Sequence, residues 1–328
     1  MAFDYPASVD LARRPTPIEP LARISTSLEG PGLFIKRDDF TGVGITGNKV
    51  RKLDFLLAEA LEQKCDTVIT CGGYQSNHAR TTAVMCAKLG LKCHLVLRNG
   101  ISASLDGNLF LDRLVGAEIH YVNPDEYMAV DDVMRRLANQ LKADGSCAYV
   151  IPEGGSNALG AVGYVRAAEE IAAQCRERKL KLHHIVVAVG SGGTYAGLLL
   201  GKYLYDLPAT IHGINVSDNE SYFVNKIHKI LQEMERRFEL GVKLGKKDIH
   251  IVDGYVGKGY GLSRQEELDV IKLVAREEGI ILDPVYTGKC FFGMMNMIKE
   301  GKFRQDENVL FVHTGGIFGL FPKKTLFF

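Results

Sequence analysis

What the sequence lacks narrows it first. Its 328 residues contain no run approaching the roughly 18 apolar residues that span a bilayer. The opening stretch, MAFDYPASVDLARRPTPIEPL, has no apolar core ahead of a cleavage site, so a cytoplasmic protein without a secretory signal is expected. With 40 basic and 39 acidic residues there is no charge excess to draw nucleic acid or an anionic membrane. The seven cysteines are odd in number, scattered, and form no C-x-x-C pair, which argues for packed thiols over a disulfide framework or a zinc site. His183-His184 opens an apolar run with no further ligand nearby, and no metal is expected. Even TGVGITGNKV (41–50), which looks like a nucleotide-binding P-loop, lacks two of its requirements. Asn48 separates Gly47 from Lys49, and Val50 stands where a magnesium-binding hydroxyl is needed. Lys49 is left at the first turn of a helix, either solvated or with chemistry of its own.

What is present is a strand–helix alternation. TVITC (67–71), CHLVL (93–97), AEIHY (117–121), HIVVAV (184–189) and NVLFVH (308–313) read as strands, several buried on both faces. Leu53, Leu56, Leu57, Ala60 and Leu61 share one helix face, and Ala158, Ala161, Val165, Ala168 and Ala172 another. Ser263 with Glu266 reads as a capping box opening a helix that turns Leu268, Ile271 and Val274 inward. The pattern predicts an α/β protein with mostly parallel, twisted sheets flanked by helices. Residues 52–152 are expected to form a smaller α/β domain, and 1–51 with 153–328 a larger one, with the ligand cleft between them.

Two glycine turns carry the chemistry. In HIVVAVGSGGTYAGLLL a buried strand runs through Gly190, Ser191, Gly192, Gly193 and Thr194 straight into a helix. Exposed N–H groups and the helix dipole at such a turn favour a phosphate. A dinucleotide site needs a sixth-position glycine, and Tyr195 is there instead. In TCGGYQSNHAR the polar Gln75, Ser76, Asn77 and His78 open a helix after Gly72-Gly73. That turn suits a carboxylate, or else simply an N-cap without ligand. ILDPVYTGK (281–289) and FVHTGGIFGLF (311–321) add polar groups at further loops.

The segments IKRDD, TGNKVRKLDFLLAEAL, GGYQSNHAR, IPEGGSNALGAVGYV, VGSGGTYAGL, GYGL, ILDPVYTGK and LFVHTGGIFGLF, in this order, resemble the D-cysteine desulfhydrase and 1-aminocyclopropane-1-carboxylate (ACC) deaminase family. The resemblance runs from about residue 15 to 321. It implies the tryptophan-synthase-β-like fold (fold type II), pyridoxal 5'-phosphate as cofactor, a small amino acid as substrate, and a homodimer. By the same resemblance Lys49 is the lysine that carries the cofactor. Lys52 helps bind its phosphate, with Arg51 structural, and Gly190 to Thr194 cradle that phosphate. Asn77 meets the cofactor's 3-hydroxyl, and Ser76 the substrate carboxylate. Tyr286 lies beside the pyridine ring, and Tyr260 is the second active-site tyrosine. His78 either exchanges protons or orders the turn.

ACC deaminases of the family have Glu after the motif tyrosine and Leu in the last loop. Thr287 and Thr314 occupy those positions here, the desulfhydrase pattern. A glutamate beside the pyridine nitrogen makes a strong electron sink for cyclopropane cleavage, whereas a threonine suffices when thiolate leaves. The expected reaction is therefore β-elimination from D-cysteine to pyruvate, hydrogen sulfide and ammonia. The alternatives are L-cysteate sulfo-lyase (whose motif resembles PVYSAK), ACC deaminase, or a cofactor-binding protein without turnover. Thr46 and Tyr74 depart from the family, and a phenol at Tyr74, beside the carboxylate-binding turn, is expected either to narrow the pocket or to change its polarity. Phe291 and Phe292 are read as core.

Overall fold

Continuous β-branched runs can be strands only where both faces are covered, and helices provide that cover. The computed structural model describes residues 3–98 and 104–328. The chain begins with β1 (Ile18–Pro20), α1 (Ala22–Leu28), β2 (Gly32–Lys36) and α2 (Lys49–Glu62). It continues through β3 (Thr67–Gly73), α3 (Asn77–Leu89), β4 (Lys92–Arg98), α4 (Gly107–Leu114), β5 (Glu118–Val122), α5 (Pro124–Met128), α6 (Val130–Ala143) and β6 (Ala148–Val150). The remainder is α7 (Ala158–Glu177), β7 (His184–Val189), α8 (Gly193–Leu204), β8 (Thr210–Asn215), α9 (Glu220–Phe238), β9 (Ile251–Val252), α10 (Gln265–Glu278), α11 (Thr287–Lys299) and β10 (Asn308–Val312).

Among the described residues these strands form two sheets, ordered β1-β2-β10-β7-β8-β9 and β5-β4-β3-β6. Every pairing is parallel except the β1–β2 edge. The four-stranded sheet draws all its strands from residues 67–150. We propose residues 52–152 as the smaller domain, with α2 as the element that crosses into the larger. That helix starts at Lys49, before the boundary, and packs closely on α7.

Two features of the core position the site. Helix α2 buries Leu53, Phe55, Leu56, Leu57 and Ala60, each apolar side chain worth about 1.5–3 kcal/mol in a fully buried place. Leu61, expected on the same face, is instead 39% exposed, because the helix turns its last residues out towards solvent. The second feature is the closeness of α2 to α7. A Cβ on Gly163 would lie 2.2 Å from the carbonyl oxygen of Arg51, so only glycine lets the helices approach this far. Gly163→Ala is therefore expected to cost about 1–3 kcal/mol of stability and to displace α2, read as an earlier urea midpoint with weaker cofactor retention. An unchanged midpoint would mean that the two helices separate freely.

Only half of a capping box forms, one residue later than the sequence pattern suggests. The Ser263 hydroxyl is drawn away to donate to the carbonyl of Pro284, and the backbone N–H of Arg264 is bonded by Glu267 instead. Leu268, Ile271 and Val274 are buried as expected. Phe291 packs edge-on to Phe311 in the core, with ring centroids 5.0 Å apart. Two of the scattered cysteines meet in space: the sulfurs of Cys65 and Cys147 are 2.6 Å apart. No helix among the described residues is long and apolar enough to cross a membrane.

Candidate active site

The carboxyl ends of β3, β4, β7 and β10 converge on a cavity of about 440 Å³. In open parallel sheets that is where turns expose N–H groups and ligands bind. Lys49, Ser76, Asn77, His78, Gly190, Ser191, Gly192, Thr194, Tyr260, Tyr286 and Thr314 all line it. Residues more than 260 positions apart in the chain thus share one chamber. Lys52 and Gly193 lie one layer behind the wall, and Thr287 lies outside it.

Lys49 is the first residue of α2, with its amine open to the cavity and protein packed around its stem. Burial lowers its pKa from the ordinary 10.5 to about 8, with Glu153 alone pulling the other way. Lys52, one turn along, is fully buried, and its Nζ donates to the carbonyl of Gly154 and the hydroxyl of Ser156 at 3.2 and 3.0 Å. The Ser156 hydroxyl in turn bonds Ser191 Oγ at 2.7 Å and accepts from Gly193 N–H at 3.2 Å. Lys52 therefore sits directly under the glycine loop. A Cβ on Gly193 would approach its amine to 2.9 Å.

Burial, then Lys49 and Lys226, push the Lys52 pKa well below its usual value, and no carboxylate opposes them. A loop ringed by amines with no counter-charge fits a dianion such as a phosphate monoester, whose arrival would restore the charge on Lys52. Lys52→Met is expected to weaken pyridoxal-phosphate affinity about 10–100-fold while leaving pyridoxal, which lacks the phosphate, bound as before. Equal weakening for both would place Lys52 away from the phosphate.

At the other end, Ser76 caps α3, its Oγ accepting from Ala79 N–H at 3.2 Å. Asn77 is held by a residue that sequence reasoning missed. Asn108 donates to Asn77 Oδ1 at 3.0 Å and is itself gripped by Gln75 and Arg80, which leaves the Asn77 amide free for a ligand. Arg80 also bonds the carbonyls of Gly44 and Thr46, tying the loop before Lys49 to α3. The Thr70 hydroxyl donates to the Ile151 carbonyl and so receives His78 Nε2–H, at 2.8 Å. Burial and the two lysines hold His78 neutral, and its buried Nδ1 has no partner among the described residues. This geometry favours His78 as the residue that orders the turn.

Tyr286 packs against Gly190, where a Cβ would meet its ring at 2.8 Å. Its hydroxyl is hydrogen-bonded to that of Tyr260, with the rings edge-on at 5.8 Å. Burial raises both phenols, Tyr260 to about 12, so the pair stays protonated at neutral pH. The wall also holds Arg98 and Tyr127, to which no motif pointed, and Glu153 from the IPEGGSN segment. The Arg98 guanidinium lies 4.8 Å from the Tyr127 ring centroid, and Tyr127 donates to Glu153 at 2.7 Å.

Two expectations need correction. Thr287 does not reach the cavity, because its hydroxyl accepts from Asp283 N–H and donates to Asp283 Oδ1, both at 2.7 Å, at the start of α11. Tyr74 is not in the wall either; it packs beside the core, and its N–H bonds the carbonyl of Arg98.

These residues were compared with known proteins. A family model described as pyridoxal-phosphate dependent enzyme matches residues 9–315. The chain belongs to that family. It is 44% identical over 323 residues to a bifunctional D-cysteine desulfhydrase/1-aminocyclopropane-1-carboxylate deaminase of Arabidopsis thaliana, covering 95% of this chain and 79% of that one. It is also 44% identical over 319 residues to the D-cysteine desulfhydrase of Yersinia enterocolitica, covering 95% and 94%. Among solved structures an ACC deaminase homologue superposes with a TM-score of 0.90 at 39% identity, covering 98% of this chain and 95% of that one. The amine-ringed glycine loop, the lysine with a depressed pKa and the paired tyrosines thus belong to a pyridoxal-phosphate-dependent enzyme. The residues present fit that cofactor. Lys49, whose amine opens to the cavity, would carry it, and the loop from Gly190 to Thr194 with Lys52 beneath would hold its phosphate.

Proposed function

We propose that this pyridoxal-phosphate enzyme catalyses β-elimination from D-cysteine, giving pyruvate, hydrogen sulfide and ammonia. Bound pyridoxal phosphate supplies the electron sink that acidifies the α-proton of an amino acid and lets a β-substituent depart. The protein supplies the rest. The Ser76 hydroxyl and the N–H groups opening α3 orient the substrate carboxylate. Lys49 Nζ, neutral to a useful extent near pH 8, takes the α-proton. The Tyr260–Tyr286 pair keeps a phenolic proton to hand for the departing thiolate.

The observation that carries the elimination reading is Thr314. It is the polar side chain offered to the cavity by the last loop, and Thr287 offers no charge there. Neutral hydroxyls suit a reaction whose leaving group is already good and suit cyclopropane opening less well. A second reading has its own observation. Arg98 in the wall would favour an anionic β-substituent, as in cysteate. The test is product release by the cofactor-loaded enzyme from D-cysteine, L-cysteine, L-cysteate and ACC. Sulfide from D-cysteine alone is expected. Sulfite from cysteate without sulfide would transfer the assignment to Arg98's reading, and ammonia from ACC alone would remove elimination. No product from any of the four, with cofactor bound, is the outcome for a binding protein without turnover. The family resemblance also implies a cytoplasmic homodimer, and light scattering of the holoenzyme at twice the chain mass is the expected result.

A further inference from the structure

Away from the active site, the smaller sheet places three metal-ligating side chains together. Glu118 and His120 alternate on the edge strand β5, and the register sets Glu118 opposite His94 on β4. Residues paired across a sheet, or two apart on one strand, point to the same face, so all three side chains project together. One atom from each forms a triangle: His94 Nδ1 to His120 Nε2 is 3.0 Å, His94 Nδ1 to Glu118 Oε1 3.7 Å, and His120 Nε2 to Glu118 Oε1 3.6 Å. The point equidistant from these atoms lies about 2.0 Å from each, the length of a zinc–nitrogen or zinc–carboxylate bond. An ion drawn slightly out of that plane by a fourth ligand keeps bonds of about 2.1 Å.

We propose that His94, Glu118 and His120 form a binding site for a divalent transition ion of the zinc type, completed by water. Two imidazoles and a carboxylate are the ligand set that zinc takes with a water in the fourth position. A cavity of about 150 Å³ beside His94 and Glu118 has room for that water. His94 is almost fully buried, so an ion bound there is shielded from solvent on that side. A ring–ring hydrogen bond and two pairings with Glu118 are needed to account for the three sides separately, whereas a single ion at the centre accounts for all of them. Arg98 lies four residues further along β4, about 13 Å away, so the site is separate from the cofactor chamber. Its effect is structural: it staples an edge strand to its neighbour, and edge strands are otherwise held from one side only.

The test titrates chelator-treated holoenzyme with zinc chloride by calorimetry and follows the thermal midpoint. One ion per chain and a raised midpoint are expected. Glu118→Gln, an exposed and conservative change, should weaken binding about 10-fold or more, and His120→Ala about 100-fold or more, with turnover unchanged in both. Cobalt(II) should give visible ligand-field bands without the strong near-ultraviolet thiolate absorption that capture by Cys65 and Cys147 would produce. The proposal is overturned if the native enzyme takes up no zinc, if Glu118→Gln and His120→Ala bind it as tightly as the native chain, or if the cobalt spectrum shows thiolate ligation.

Discussion

Lys49→Ala is expected to remove turnover and the visible absorbance of the bound cofactor together, with a fall in rate of at least about 10³-fold. The argument is electrostatic. An ordinary lysine with a pKa of 10.5 is neutral in about one molecule per thousand at pH 7.5. With burial lowering Lys49 to about 8, the neutral fraction rises to about a quarter. Only the neutral amine can act as nucleophile or base, and no second amine shares its place: Lys52 is committed beneath the loop. The same shift sets a pH dependence. The folded pKa is lowered, so between about 8 and 10.5 the unfolded chain binds more protons than the folded one. In the cofactor-free protein Lys49 therefore destabilises most below pH 8, and that penalty fades as the pH rises towards 10.5. Urea midpoints of native and Lys49→Met chains should diverge at pH 7, with the variant the more stable, and converge near pH 10.5. Persistence of the native absorbance in Lys49→Ala would show that the cofactor is joined elsewhere.

The largest stability effect is expected at Arg51, two residues after Lys49 on α2 and so on the other side of the helix, facing inward. Its guanidinium grips Asp38 with two bonds of 2.9 and 2.8 Å and reaches Glu170 at 3.0 Å and Thr16 at 3.0 Å. Lys36 closes the ring by bonding Glu170, Gln174 and the carbonyl of Thr16, and the Tyr164 hydroxyl donates to Asp38. Burial alone would raise Asp38, but Arg51 outweighs it and holds the carboxyl below its usual range. Two cations thus balance two carboxylates in a nearly dry pocket. Arg51→Met leaves Asp38 buried beside a gap and should cost about 3–5 kcal/mol. Arg51→Met combined with Asp38→Asn should recover part of that loss, since no uncompensated charge then remains. A loss below about 1 kcal/mol in the single variant, read from denaturant unfolding, would mean that water reaches the network.

These outcomes separate what the sequence makes legible from what it hides. The strands at 67–73 and 184–189 are continuous apolar runs, so the fold class could be read directly, and the glycine-dense turns that follow mark the loop proposed for the phosphate. Lys49 was legible through its motif, although its depressed pKa comes from packing that no motif shows. Thr287 was misplaced because proximity to Tyr286 in sequence says nothing about a hydroxyl already claimed by Asp283. The N-cap at Ser263 failed for the same kind of reason, a competing acceptor 21 residues away. Asn108, Arg98, Tyr127 and Glu153 come from separate elements and meet only through the parallel order of the smaller sheet. The histidines at 94 and 120 are too far apart to form a spacing motif, and β4–β5 register brings them together.

The division of labour between the two sheets has a consequence for how such a protein can diverge. The proposed phosphate end is built from the start of α2 and the β7–α8 turn, with the buried ion ring behind them. The side proposed for the substrate is furnished largely by the turn after β3, by Arg98 at the end of β4 and by the short helix α5. Asn77 and Arg80 apart, changes on that side leave the proposed anchors of the cofactor, Lys49 and Lys52, in place. A few substitutions at Ser76, Arg98 or Tyr127 can therefore reshape the substrate side while the amines that would hold the cofactor keep their places.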